Sequence, residues 1–533
     1  MRSSMNTPAA SRASRAVVIG SGFGGLSAAV RLRALGYDVT VVEALDQPGG
    51  RARAFKDQGF VFDAGPTVIT APYLIDELFT LLGREPREYF SLLPVDPFYR
   101  VEFHDGGRFD YVGEEDRILS QIQQFEPRDV DGYRRMVRHM KEIFDVGYTG
   151  LADKPFGRFG DMMKVLPDMM KLESYRTVYG LTAKYIRNEQ LRQVFTFQPL
   201  LVGGNPFRTT SIYSMIHWLE RKWGVWFVQG GTTALVHALV KLLGDVGVDV
   251  RCNSPVGRIE VEGGRTTGVV LENGERLDAD IVVSNGDPSM VYTKLIDAQH
   301  RSKYTDRAVA RVQGSMGLFV AYFGTDSRSP TAADPAAATK FEQIKHHTIV
   351  LGPRYKGLLD DIFAKKKLAD DFSLYLHRPT ATDRSLAPAG HDAWYVLSPV
   401  PNLKGGQDWE QLAPAYLDKI VRSLDRLAPG LSSSLKAVRH IDPRHFERDY
   451  RTMHGAAFGP EPVLTQSAWF RYHNASPDVG GLYFVGAGTH PGAGVPGVIS
   501  SSKVLERVVE RPARPSSWRA AETATSSTRR AAE

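Results

Sequence analysis

Three separated glycine-rich stretches, 16–43, 230–285 and 481–509, alternate short β-branched runs with helical periodicity. Together they predict an α/β fold in which one discontinuous Rossmann-like domain carries α+β insertions that build a second region. That discontinuous domain is expected to take 16–75, 226–300 and 466–508. The insertions, 76–225 and 301–465, are richer in Tyr, Trp, Met and Pro and lack that regularity. At 533 residues the chain has room for about three domains and a buried cofactor.

Taken in order, 16–19 reads as a strand, the glycines after it as a turn, and 26–35 as a helix stopping at Gly36 before the strand "DVTVVE". In the second stretch, 233–243 has helical spacing, Gly263-Gly264 and Asn273-Gly274 are hairpin signals, and "ADIVVSN" is a returning strand. The third stretch, "GLYFVGAGTHPGAGVPGVISSSKVLERVV", is strand, glycine loop and helix again. Segments 1–15 and 511–533 have the composition of disordered tails.

The net charge of +6 resides in those tails: Arg2, Arg12 and Arg15 supply +3, and five Arg against two Glu in 511–533 supply +3. The body is formally neutral, with no Lys/Arg run dense enough for a nucleic acid. The single cysteine, Cys252, excludes an intramolecular disulfide and any multi-cysteine metal site, and a cytoplasmic setting fits. No run approaches the ~20 apolar residues of a membrane span, so membrane contact is expected from one side only. The fourteen histidines include His346-His347, but no third ligand stands at recognisable spacing, and no metal site is expected.

The loop "VVIGSGFGGL" places Gly20, Gly22 and Gly25 in G-x-G-x-x-G spacing between a strand and a helix. The first glycine permits the turn, the second lets backbone approach a pyrophosphate, and the third lets helix and strand pack closely. Glu43, 23 residues past Gly20, is placed to accept hydrogen bonds from an adenosine ribose. NAD and FAD share that half. The residues after Glu43 separate them: "QPGGRARAF" adds Gly49-Gly50 and Arg51, and "FDAGPT" adds Gly65, Pro66 and Thr67. This extension resembles flavoproteins of the amine oxidase and carotenoid desaturase superfamily. Gly50 and Arg51 would meet the pyrophosphate, and Gly65 would let backbone lie beside a flat isoalloxazine. Gly486 and Gly488 repeat the strand-then-glycine device, and a helix entered near Pro496 would aim its positive end at the flavin.

Over about 16–506 the chain resembles the bacterial and fungal phytoene desaturase family, through "GFVFDAGPTVIT", "LLVGGNPFRTTSIYSMIHWLER", "WGVWF", "LGPRY", "DFSLYLH" and "EPVLTQSAWFRYHN". The resemblance implies FAD, an amine-oxidase-like flavoprotein architecture, and a substrate region docking on a membrane surface. It implies several dehydrogenations of the C40 polyene phytoene toward lycopene, and Val256 beside the adenine; the final acceptor, quinone or oxygen, stays open. A C30 diapophytoene or hydroxylated carotenoid substrate stays open, as does the oligomeric state. An amine oxidase or a non-catalytic prenyl-protein carrier is a more distant alternative on a related fold.

For a catalytic acid or base the sequence offers Asp161, opening the methionine-rich "DMMKVLPDMMKL", although a carboxylate after Gly160 is equally a helix cap. That stretch also reads as a membrane-interface segment or as core. Trp218, Trp223, Trp226 and Phe227 are candidates for the wall of an apolar tunnel or for ordinary core.

Overall fold

The computed structural model describes residues 13–328 and 339–516; of the tails expected at 1–15 and 511–533, residues 1–12 and 517–533 lie outside the described residues, whereas Arg15 already belongs to the first strand, paired with Asp38. Five short parallel strands make the central layer, in the order Leu482–Phe484, Ile281–Ser284, Arg15–Ile19, Asp38–Val42 and Asp249–Arg251. One sheet thus takes strands from all three glycine-rich stretches. Both faces are covered, which is why the strands read as continuous Val and Ile. Alternate residues face opposite ways: Ala16, Val18 and Val41 pack under helices, whereas Val17, Val42 and Val282 pack under a three-stranded meander. The meander, Val256–Glu262, Arg265–Leu271 and Arg276–Asp278, turns at the two predicted hairpins.

The first helix, Phe23–Leu35, begins three residues earlier than its apolar periodicity predicts. Glycine is the reason. A Cβ on Gly25 would stand 1.9 Å from the Gly20 carbonyl oxygen, so the helix rises directly from the strand end only without one. Gly20 makes the turn at φ 91°, a left-handed conformation costly for other residues. The helix packs against Thr232–Asp245 and Val495–Val508 and is buried almost all round, Arg31 and Arg33 included. Arg31 is paired with Glu77 at 3.0 Å and Glu506 at 2.7 Å. Arg33 donates to the carbonyls of Val246 and Tyr37 and to the Ser516 hydroxyl.

That last contact corrects the tail expected at 511–533. Its first part is folded: the Ser516 amide donates to the Gly36 carbonyl at 2.8 Å, and the Ser14 amide donates to that of Arg514 at 2.9 Å. A buried guanidinium needs acceptors, and the returning chain supplies one.

The second region is built on a seven-stranded sheet in the order Leu435–Ile441, Gly317–Asp326, His391–Val400, Leu374–His377, His347–Val350, Tyr99–Glu102 and Arg108–Tyr111. Only His347–Val350 and Tyr99–Glu102 pair in parallel. Helix Asp129–Phe144 packs on helix Met215–Trp223, and Tyr99, Phe109, Tyr111 and Tyr322 are fully buried in the adjoining core.

Gly25→Ala must open the strand–helix junction to relieve the clash with the Gly20 carbonyl. We expect it to cost about 3 kcal/mol, read as a lower midpoint of thermal unfolding, whereas Gly244→Ala, on an open helix surface, should leave the midpoint unchanged or slightly raised.

Candidate active site

A single cavity of about 790 Å³ runs from the glycine loop of the parallel sheet into the second region. Its first end is made of backbone. Gly20, Gly22, Gly50, Gly65, Pro66, Thr67, Val256 and Pro496 all line it, with Glu43 and Arg51. Gly65 lies so close to the Arg51 carbonyl that a Cβ there would stand 2.4 Å from it, which draws the "GGR" and "AGPT" turns together.

Two helices begin at this end, Phe23–Leu35 and Val495–Val508. Neither has a side-chain cap nor an acidic residue in its first turn. Their leading N–H groups and dipoles are therefore left for something else, and a helix N-terminus in that state favours anionic oxygen. A Cβ on Gly50 would meet nothing nearer than 3.8 Å, so the cradle beside Gly22 is open. The buried carboxylate of Glu43 is already fixed by the loop: it accepts from the Ser21 amide at 2.9 Å, the Ser21 hydroxyl at 2.7 Å and the Leu45 amide at 3.0 Å. It is rigid and pre-oriented at the end of its strand. These features fit the adenosine and pyrophosphate of a dinucleotide.

Gly25, Gly486 and Gly488 do not line the cavity. They are packing glycines one layer behind: Cβ atoms on Gly486 and Gly488 would stand 2.5 Å from the Asn285 Oδ1 and 2.2 Å from Pro288. Asn285 and Gly24, which the glycine motif does not single out, are in the wall instead. Arg51 donates to the Ala457 carbonyl at 2.6 Å, and burial lowers its pKa against the pull of Asp287. Its neighbour Arg53 is buried over the Phe55 and Tyr450 rings.

Beyond Thr67 the walls turn apolar, with Phe197, Leu200, Ile212, Met316 and Leu397. Asp161 is not among them. It occupies the third position of helix Phe159–Lys171, accepts from the Arg158 amide at 3.2 Å and faces Lys164 at 3.7 Å, the capping role that competes for such a residue. Val165 and Met169 of the same helix do reach the cavity, while Phe159, Met163, Leu166 and Met170 point outward and are exposed. None of Trp218, Trp223, Trp226 and Phe227 lines it either. Trp223 packs with Tyr73, Phe144 and Tyr148, and Phe227 is fully buried against His346 and His377.

From the tryptophan-bearing helix Met215–Trp223 it is Met215, Ile216, Leu219 and Glu220, not the tryptophans, that meet the cavity. Glu220 is 1% exposed and accepts from the Tyr99 hydroxyl at 2.7 Å. Burial pushes its carboxyl up to about 7, with the Tyr99 hydroxyl pulling the other way. Asp63, behind the wall, is likewise raised to about 7 by burial and faces the Thr233 amide at 3.4 Å. A helix carboxylate between aromatic residues carries no motif, so spacing offers no signal for Glu220.

A third histidine that no sequence spacing marks stands beside His346-His347. Antiparallel pairing sets His377 opposite His347, and the nitrogens of His346, His347 and His377 lie within 4.8 Å of one another. Burial lowers all three pKa values, so the rings are neutral. Among the described residues no carboxylate joins them, and the Arg378 guanidinium acts on His346.

The model of the family "Flavin containing amine oxidoreductase" matches residues 23–503. The chain is 47% identical over 488 residues to a lycopene-forming phytoene desaturase of Pantoea ananas, covering 91% of this chain and 97% of that one. A neurosporene-forming phytoene desaturase of Rhodobacter capsulatus is 42% identical, covering 94% and 95%. Among solved structures, cyclohexylamine oxidase of Brevibacterium oxydans superposes with a TM-score of 0.58 at 17% identity, covering 93% and 98% of the two chains. Putrescine oxidase gives 0.62 at 14%, with the same coverage. The amine oxidases share the fold; the desaturases are similar in sequence over more than nine-tenths of the chain. The chain therefore belongs to the flavin-containing amine oxidoreductase family and, within it, to the phytoene desaturases.

Proposed function

We propose that this protein is an FAD-dependent desaturase that converts phytoene toward lycopene by several successive dehydrogenations. The observation that carries the reading is the continuity of one cavity, from an uncapped, glycine-lined anion cradle to walls of Phe, Leu, Ile and Met. A polyene offers no hydrogen-bonding handle, so apolar contact and exclusion of water are what such walls supply. Bound FAD supplies the two-electron hydride acceptor. The Gly20–Gly22 loop, Gly50 and Arg51 would hold its pyrophosphate, Glu43 and Val256 its adenosine, and Gly65 to Thr67 would lie along its ring.

Entry of the substrate is best served from a lipid surface. Helix Phe159–Lys171 puts Val165 and Met169 into the cavity and leaves Phe159, Met163, Leu166 and Met170 exposed, spaced to form one stripe with Lys164 and Lys171 beside it. Such a helix lies in a bilayer interface with its apolar stripe in the acyl boundary. No helix among the described residues is long and apolar enough to cross a membrane.

Purified protein with FAD and liposomes containing phytoene should form a red-shifted pigment that co-elutes with lycopene. Running the reaction in air and then anaerobically with quinone assigns the acceptor, and bound FAD with no pigment under either condition would overturn the substrate assignment. Gly22→Val places a side chain beside the cradle, its first added carbon 2.9 Å from the Asn285 side-chain nitrogen, which must shift slightly to admit it. The variant should fold and emerge without flavin absorbance. Phe159→Asp with Met170→Asp should abolish flotation with liposomes and lower turnover on membrane-borne phytoene while flavin content stays at the wild-type level.

A further inference from the structure

Desaturation needs two acceptors, and the flavin is only one of them. When a hydride leaves one carbon, the neighbouring carbon must lose a proton, and that proton needs a base within the apolar cavity. Asp161 does not reach it. Tyr99, Tyr375 and Tyr395 line it, but burial raises each of their hydroxyls far above the neutral range, so they stay protonated. Glu220 is a carboxyl in the same wall.

Resting on the desaturase reading above, we propose that Glu220 is the proton acceptor of the dehydrogenation, held in place by Tyr99. Four observations converge on it. It lines the cavity from helix Met215–Trp223, and its side chain is closed off from bulk water. Its Oε1 accepts from the Tyr99 hydroxyl at 2.7 Å, whereas its Oε2 is buried without a well-formed hydrogen bond, the Tyr111 hydroxyl and the Gln198 side chain standing near the carboxyl. A buried carboxylate oxygen so weakly engaged is costly as structure and is what a base requires. Finally, the Tyr99 ring packs on His347, whose Nδ1 meets the Tyr375 hydroxyl at 2.6 Å, and that hydroxyl meets Thr67 at 2.6 Å. This chain of contacts ties Glu220 to the loop expected along the flavin ring.

The groups around it leave the carboxyl as the one that titrates near neutrality. From its own helix, burial lowers His217 to about 3, and Arg221 is turned to the Tyr133 hydroxyl at 2.9 Å and to Glu115 at 3.1 Å. From the facing strands come Tyr99 and Tyr111, the latter held by His217 Nδ1 at 2.5 Å, and from the turn Gln198–Val202 comes the uncharged Gln198. Burial, the dominant cause of the raised pKa, is opposed by hydrogen bonding from Tyr99, Tyr111 and Gln198.

In each step a C–H bond beside the hydride-losing carbon breaks and its proton forms an O–H bond on Glu220. The electron pair left behind becomes the second bond of the new C=C. The hydride and its two electrons go to FAD, which the quinone or oxygen of the desaturase reading reoxidises. The proton returns to solvent when the cavity empties, which a carboxyl near neutrality permits.

Turnover of the wild-type holoenzyme should rise with pH through about 7, because the base must be ionised. Glu220→Gln should keep its FAD, lose that rise and turn over on the order of 10²-fold more slowly, with Glu220→Asp recovering part of the rate. Tyr99→Phe removes a hydrogen bond that lowers the pKa, so its rise should move to higher pH. Independently of activity, infrared difference spectra of the FAD-free protein should show carboxylic acid absorption titrating near neutrality that Glu220→Gln diminishes, leaving the part that belongs to Asp63. A Glu220→Gln enzyme with wild-type turnover and pH profile overturns the assignment while leaving the desaturase intact. A wild-type enzyme that forms no lycopene overturns both.

Discussion

The backbone contact between Gly25 and the Gly20 carbonyl sets the position of the whole cofactor end of the cavity. Because no Cβ intervenes, the first helix starts at the very end of the first strand and its N–H groups open onto the sheet's carboxyl edge. The strand Leu482–Phe484 reaches that same edge, and the helix after it, Val495–Val508, enters by a glycine loop with its N-terminus equally uncapped. Two dipoles without side-chain caps at one edge concentrate positive potential on one spot. The surrounding wall is glycine backbone, so that spot stays accessible to a ligand's phosphates. A loop of ordinary side chains would fill the cradle and cap the helices internally.

Away from that edge the same cavity changes character. Its walls come from the seven-stranded sheet and the helices over it, and they are aliphatic and aromatic. Desolvation dominates the electrostatics there: carboxyls rise toward neutrality, histidines fall below it, and tyrosines stay protonated. The three-histidine cluster is part of this dry core. Its rings are neutral, packed at centroid separations of 4.5 to 5.3 Å, His346 edge-on to the stacked pair His347 and His377, and covered by Phe227, so packing accounts for it. Among these groups Glu220 combines cavity position with a carboxyl raised toward neutrality.

Helix Phe159–Lys171 joins the cavity to the outside through its periodicity. Two of its faces are apolar, one carrying Val165 and Met169 to the cavity and the other carrying Phe159, Met163 and Met170 to solvent. A helix buried in a core would not show the second, and an ordinary surface helix would make it polar. This arrangement is suited to a substrate that dissolves in lipid rather than water.

Local signals determined much of this protein from sequence alone. The βαβ spacing of Gly20, Gly22 and Gly25, Glu43 at the next strand end and the hairpin dipeptides specified the parallel sheet and meander, because turns, strand runs and helix starts depend on neighbours a few residues away. Ten of the expected cofactor residues, from Gly20 to Pro496, line one cavity. Tertiary structure decided the rest. It set Gly25, Gly486 and Gly488 behind the wall as packing residues, assigned Asp161 to a helix cap, and folded residues 511–516 onto buried Arg33. It also brought His377 to His346-His347 across a strand pair, and Glu220 to Tyr99, 121 residues away. The reason is burial: whether a carboxylate caps a helix or faces a dry cavity depends on what packs over it from distant parts of the chain, and no local spacing encodes that.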